Sequence, residues 1–165
     1  LPPSLPDFIP QEFCFVPLGG CGEIGMNFNL YGYAGKWLIV DCGITFHDER
    51  VPTVDVLMPD ISFIAAQKDR IAGMVITHAH EDHLGAVPYL WPQLECPVYA
   101  TGFTASVLKR KLGETSFGKK VPVEILPLSG TRDIAPFSIQ LITLTHSIPE
   151  PNAVVIRTAA GAVLH

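Results

Sequence analysis

The sequence predicts a layered α/β or α+β domain, and three observations carry that prediction. Strand-like segments come first and then alternate with helical ones, the order that layered mixed domains show. Ile71-Ala72-Gly73-Met74-Val75-Ile76 is a short, apolar, partly β-branched run, as an interior strand of a covered sheet should be. The 165 residues are 48% hydrophobic and 16% charged, which is enough apolar material for one core and too much for a disordered chain.

Taken in order, residues 1–10 are Pro-rich, and 1–11 read as an extended arm before a domain over 12–165. Residues 12–18 read as a first strand. Residues 28–33 and 36–40 read as a hairpin around Ala34-Gly35, because Gly tolerates the positive φ of a tight turn. Residues 61–70 read as a helix with Asp60 or Ser62 as its cap. Residues 84–91 begin a second helix, whose amino end faces the preceding loop with a small positive potential. The clearest helix runs over 101–112 and stops at Gly113. Residues 121–126, 132–145, 153–158 and 162–165 continue as strands.

The chemistry concentrates in Thr77-His78-Ala79-His80-Glu81-Asp82-His83. Imidazole nitrogens and carboxylate oxygens are the ligands zinc accepts in open, catalytic sites. By composition, His-x-His-x-Asp-His arises by chance on the order of once in a few thousand such chains. Residues 78, 80, 82 and 83 would fall on different faces of a helix, so the segment is expected to be a loop wrapping a centre. It follows an apolar strand directly, and open α/β sheets place their sites past the carboxyl ends of strands. Two other strand-like runs end in matching chemistry, at Asp41 and at His146. A zinc site needs a third nitrogen ligand, which His146 supplies, and ligating histidines need a carboxylate behind them to fix tautomer and ring direction, which Asp41 supplies.

These residues resemble the metallo-β-lactamase superfamily of two-zinc hydrolases, and within it the ribonuclease J group of RNA-processing nucleases. The resemblance rests on His78-x-His80-x-Asp82-His83-Leu84-Gly85 with Asp41 before and His146 after. Pro17-Leu18-Gly19-Gly20-Cys21-Gly22-Glu23-Ile24-Gly25-Met26-Asn27, Val40-Asp41-Cys42-Gly43, Met58-Pro59-Asp60, Val98-Tyr99-Ala100-Thr101 and Thr145-His146-Ser147-Ile148-Pro149 support it. It covers the chain from about residue 13 onward.

The resemblance implies a four-layer αββα sandwich, present here as its amino-terminal portion. It implies that His78, His80 and His146 hold one zinc, that Asp82 and His83 begin the shell of a second, and that Asp41 stands behind the ligands. Asp82 and His83 are then the catalytic pair, with Asp82 orienting the attacking hydroxide or taking its proton. The implied activity is cleavage of RNA phosphodiester bonds, both internally and progressively from a 5′ end carrying a monophosphate. Homodimers or homotetramers are implied, with zinc or manganese as the metal. In that group a bridging Asp follows a strand that reads like Gly161-Ala162-Val163-Leu164-His165. The domain is therefore expected to stop short of that Asp, of the inserted β-CASP module and of a carboxyl-terminal domain.

The remaining features qualify this reading. The Gly-rich segment 19–25 lacks a following helix and a P-loop Lys-Ser/Thr, so it is expected to be a tight strand-to-strand turn beside the site rather than a nucleotide loop. Cys14, Cys21, Cys42 and Cys96 show no Cys-x-x-Cys pairing and read as reduced thiols, with Cys42 as a lesser candidate ligand beside Asp41. No run is long and apolar enough to span a bilayer and no leader is visible, which makes the cytoplasm the expected location. A net charge of −5 is wrong for a stand-alone nucleic-acid binder. Lys109-Arg110-Lys111 and Lys119-Lys120 read first as solvated surface. Two alternatives stay open: a small-molecule hydrolase of the same fold cutting a β-lactam or thioester, and a non-catalytic domain with an unfinished metal shell.

Overall fold

A computed structural model describes residues 12–46 and 54–165. The expected arm over 1–11 lies outside the described residues. The first sheet has six strands in the order β1-β2-β3-β6-β7-β8: β1 (Cys14–Gly19), β2 (Phe28–Tyr33), β3 (Lys36–Val40), β6 (Ile71–Val75), β7 (Val98–Ala100) and β8 (Val123–Ile125). Between β3 and β6 in the chain, β4 (Thr45–Phe46) and β5 (Val56–Leu57) form a separate two-stranded ribbon. β1, β2 and β3 are antiparallel, whereas β3, β6, β7 and β8 are parallel. The β2–β3 turn is the expected one: Ala34 and Gly35 both take positive φ, at 49° and 73°, matching the twist of the flanking strands.

Both faces of this sheet are covered, which is why β3 and β6 read as continuous apolar runs. On one face Trp37, Ile39, Met74, Ile76 and Val98 form a core with residues of the helices α1 (Ser62–Ala65), α2 (Glu81–Leu84), α3 (Val87–Leu94) and α4 (Gly102–Leu112). α4 shows the simplest logic: Thr104, Ala105, Leu108 and Leu112 form its buried stripe, and Lys109, Arg110 and Lys111 sit in its last turn, where cations suit the dipole. The helix expected over 61–70 is instead the single turn α1 followed by a 3-10 turn, Lys68–Arg70. Only Ile64 of α1 is buried, so no apolar stripe exists to propagate the helix.

On the other face Tyr31, Leu38, Val40, Val75 and Tyr99 meet Leu126, Ile134, Phe137, Ile139, Leu141, Val154 and Ile156. Most of the latter belong to the second sheet, ordered β12-β11-β10-β9 and wholly antiparallel: β9 (Thr131–Ile134), β10 (Phe137–Thr143), β11 (Asn152–Thr158) and β12 (Gly161–Leu164). Period-two burial of Phe137, Ile139 and Leu141 is the signature of a strand with one face inward. The strand expected over 132–145 is therefore a hairpin broken at Ala135-Pro136, since Pro donates no ladder hydrogen bond, and it ends at Thr143 rather than Thr145. The described layers are helix, sheet and sheet. Among the described residues no helix covers the outer face of the second sheet, and no helix is long and apolar enough to cross a membrane.

Candidate metal centre

The site begins where β3 and β6 end side by side. Asp41 continues β3 by donating its N–H to the Val75 carbonyl, then turns at φ 66°. Its carboxylate is fully buried, where a polar group is costly unless it is hydrogen-bonded. Its Oδ1 accepts the Thr77 backbone N–H at 2.8 Å, the Thr77 hydroxyl lies 3.0 Å from both oxygens, and Oδ2 accepts His83 Nδ1–H at 2.7 Å. The Thr77 hydroxyl has one hydrogen and gives it to Asp41, which leaves its lone pairs to accept His78 Nδ1–H at 2.9 Å. Asp41 thus fixes two imidazoles, His83 directly and His78 through Thr77, each with its Nε2 turned away from the Asp41 carboxylate.

His78 Nε2 and His80 Nδ1 face each other at 3.1 Å. Two nitrogens bound to one tetrahedral zinc at 2.0–2.1 Å would sit about 3.3 Å apart, so the spacing is that of a shared cation. His146 completes the set: one ligand atom each from His78, His80 and His146 lie within 4.8 Å of one another. Burial first, then the neighbouring His83, lowers the His78 pKa to about 4, so the ring is neutral and able to ligate at physiological pH. The donor set fits a divalent cation.

The His-rich motif is not wholly a loop. Its first half is irregular, but at Glu81 the chain enters α2, whose first turn closes as the N–H groups of His83 and Leu84 both donate to the His80 carbonyl at 3.0 Å. This turn carries Asp82 and His83 to the flank of the imidazole trio. His83 packs against His78 with ring centroids 4.0 Å apart and planes tilted by 45°, and its Nε2 lies 3.4 Å from Asp82 Oδ2. For His83, burial pushes against the charged form, yet the Asp41 hydrogen bond and the charges of Asp41 and Asp82 leave its pKa raised. The structure therefore gathers all six expected residues into one place in two groups, the trio of His78, His80 and His146 and the set of Asp41, Asp82 and His83.

Asn27 escaped the sequence reading. Its Nδ2 lies 3.0 Å from the Asp82 carbonyl oxygen, 3.4 Å from Asp82 Oδ2 and 3.3 Å from His83 Nε2, while its backbone N–H donates to the same Asp82 carbonyl. The Gly-rich segment delivers it: this connection between β1 and β2 takes positive φ at Gly20, Gly22, Gly25 and Met26 before Asn27 turns inward. Gly43 serves the same contact from the other side, since a Cβ there would overlap the Asp82 carbonyl. Cys42, by contrast, is buried in the helix-side core, where burial pushes its thiol well above the usual range, and it stands outside the imidazole trio. Lys111 pairs with Glu81 at 2.6 Å.

A cavity of about 540 Å³ opens beside the trio, walled by Asp41, Thr77, His78, His83, His146 and Asn152. His165 lies on the same wall, its Nδ1 2.8 Å from the Tyr31 hydroxyl, and burial lowers its pKa. Asn152 is buried with no hydrogen-bond partner for its Oδ1 among the described residues.

Residues 25–164 match the metallo-beta-lactamase superfamily. The chain is 46% identical over 159 residues to Ribonuclease J of Sinorhizobium meliloti, which covers 94% of this chain and 28% of that protein. It is 39% identical over 154 residues to Ribonuclease J of Helicobacter pylori, covering 90% of this chain and 22% of that protein. The chain thus spans about a quarter of the length of these relatives. Its fold is similar to that of the metallo-beta-lactamase fold protein YhfI from Bacillus subtilis, with a TM-score of 0.64, 15% identity, and coverage of 91% of this chain and 59% of that one.

Proposed function

Because the chain belongs to the metallo-β-lactamase superfamily, we propose that its imidazole trio is one half of a hydrolytic metal centre that cleaves phosphodiester bonds in RNA. The observation that carries this is the convergence of His78, His80 and His146 with two of the neighbouring rings already held in ligating tautomers by Asp41. His78, His80 and His146 hold one ion, and Asp82 with His83 begins the shell of a second. Zinc, or manganese in the same set, supplies Lewis acidity toward a phosphorus centre. Asp82, on the exposed rim of the site, orients the attacking water and accepts its proton. Asn27 holds Asp82 and His83 in register while this happens.

RNA is the substrate favoured because the matched relatives are named Ribonuclease J. The finer reading is cleavage both internally and from a 5′-monophosphate end, in the cytoplasm, by a dimer or tetramer of a longer protein. A chain charge of −5 assigns most of the grip on phosphates to regions outside residues 1–165. The test is metal analysis of the purified protein together with turnover of a 5′-phosphorylated RNA, nitrocefin and a glutathione thioester. Bound divalent metal with RNA cleavage is expected. Turnover of the lactam or thioester with RNA left intact would replace this reading by a small-molecule hydrolase, and no bound metal would end it.

A further inference from the structure

His146 differs from the other ligands in having no regular structure beneath it. His78 and His80 follow β6 directly, whereas His146 lies in the irregular stretch between β10 and β11 and is itself exposed. Something must hold that stretch if its imidazole is to meet the other two, because an unrestrained segment would lose the convergence to conformational entropy. Leu144 N–H donates to the Pro151 carbonyl at 2.9 Å and closes the neck. Asn152 ties the exit to the residue before His78, with its backbone N and Nδ2 at 3.2 and 3.3 Å from the Thr77 carbonyl, and its Nδ2 also reaches the Glu150 carbonyl at 2.7 Å.

The remaining tether is a side chain. Glu150, at φ 56°, accepts the Phe103 N–H at 2.8 Å through its carboxylate. Phe103 lies in the first turn of α4, where backbone N–H groups lack intrahelical partners and a negative charge is favoured. α4 packs on the first sheet and Glu150 precedes a strand of the second, so this contact, beside the Asn152–Thr77 bonds, fastens the His146 segment to the layer that carries His78 and His80.

We propose that Glu150 is a positioning residue for His146, holding the third imidazole at the cation through the amino end of α4. This rests on the metal-centre reading above. It is tested by cobalt(II) titration of the full chain, wild type against Glu150→Ala, Glu150→Gln and, as a distant ion-pair control, Lys68→Ala, reading both affinity and the cobalt absorption spectrum. Loss of a residue that orients a ligand lowers metal affinity about 10- to 100-fold. Glu150→Ala is expected to fall in that range with a weakened, altered cobalt spectrum. Glu150→Gln, which keeps an acceptor oxygen, recovers most of the affinity, and Lys68→Ala binds as wild type. Wild-type affinity and spectrum in Glu150→Ala overturn the proposal, as does equal weakening in Lys68→Ala. If Glu150→Ala does not fold, Glu150→Gln decides: an affinity as low as that of a His146→Ala variant overturns the role of the acceptor. A wild-type chain that binds no cobalt overturns the metal reading itself, a result distinct from all of these.

Discussion

His83 donates Nδ1–H to Asp41 across 2.7 Å, from a helical turn to a strand end 42 residues earlier in the chain. The same carboxylate accepts the Thr77 N–H, so one buried group joins β3, the segment after β6 and α2 at the point where the cation ligands begin. Its role is therefore double. It supports the fold as the partner of three donors, and it supports the chemistry by setting two imidazole tautomers.

Asp41→Ala is expected to be among the most damaging single changes in the chain. It leaves the Thr77 N–H and His83 Nδ1–H buried without an acceptor, a loss of about 3 kcal/mol. Asp41→Asn keeps one acceptor and should lose less. The urea midpoint of the metal-free protein measures this; midpoints for Asp41→Ala within experimental scatter of wild type would show that the carboxylate is dispensable to the fold.

Acid should destabilise the metal-free protein before ordinary carboxylate titration begins. The folded His78 has its pKa lowered from 6.5 to about 4, so between those values the unfolded chain holds a proton that the folded one lacks. The contribution is complete above pH 6.5 and is lost as the pH falls toward 4. His165 is shifted the same way by burial, while the raised His83 acts in the opposite sense and loses its contribution as pH rises. The His78 share of the loss between pH 7 and 5 is on the order of 2 kcal/mol. Chelator-treated protein should show a lower urea midpoint at pH 5 than at pH 7, and His78→Gln should flatten the difference. An equally steep pH dependence in His78→Gln would assign the effect to other groups.

The chemistry of the site was legible because it is written in residue types: three His and an Asp in six positions, an Asp and a His at other strand ends. Local geometry was less so. Nothing in the spacing shows that His80 offers its carbonyl to close a helical turn at Glu81, which is a backbone event independent of side-chain identity. Asn27 was hidden because its contacts lie 55 and 56 residues away, and an Asn after a Gly-rich run looks like any turn residue. Pro136 marks the break between β9 and β10, and only β10 carries the apolar alternation of a half-buried strand.

The four thiols should separate by burial. Cys42 and Cys96 are buried, and burial pushes Cys42 well above the usual range and Cys96 up to about 12, so neither presents a thiolate near neutral pH. Cys21 is exposed on the Gly-rich connection. Titration with a disulfide reagent is expected to give fast labelling at Cys21, slower labelling at the half-buried Cys14, and reaction at Cys42 and Cys96 only in denaturant. Mass mapping of rapid native-state labelling to Cys42 would contradict its place in the core.

Gly43→Ala tests whether backbone contact, rather than side-chain chemistry alone, shapes the site. Gly43 N–H donates to the Asn27 carbonyl at 2.9 Å, Cys42 N–H to the His83 carbonyl at 2.7 Å, and Asn27 N–H to the Asp82 carbonyl at 2.9 Å, which locks three segments at van der Waals distance. A methyl group on residue 43 would overlap the Asp82 carbonyl and the His83 nitrogen, both backbone atoms that no rotamer change can move aside. Overpacking of this kind costs about 1–3 kcal/mol, and relief by shifting α2 would carry Asp82 and His83 out of register with Asp41. Gly43→Ala should therefore lower both the urea midpoint and metal affinity. Ala at 43 with unchanged stability would mean that α2 sits farther from β3 than these contacts require.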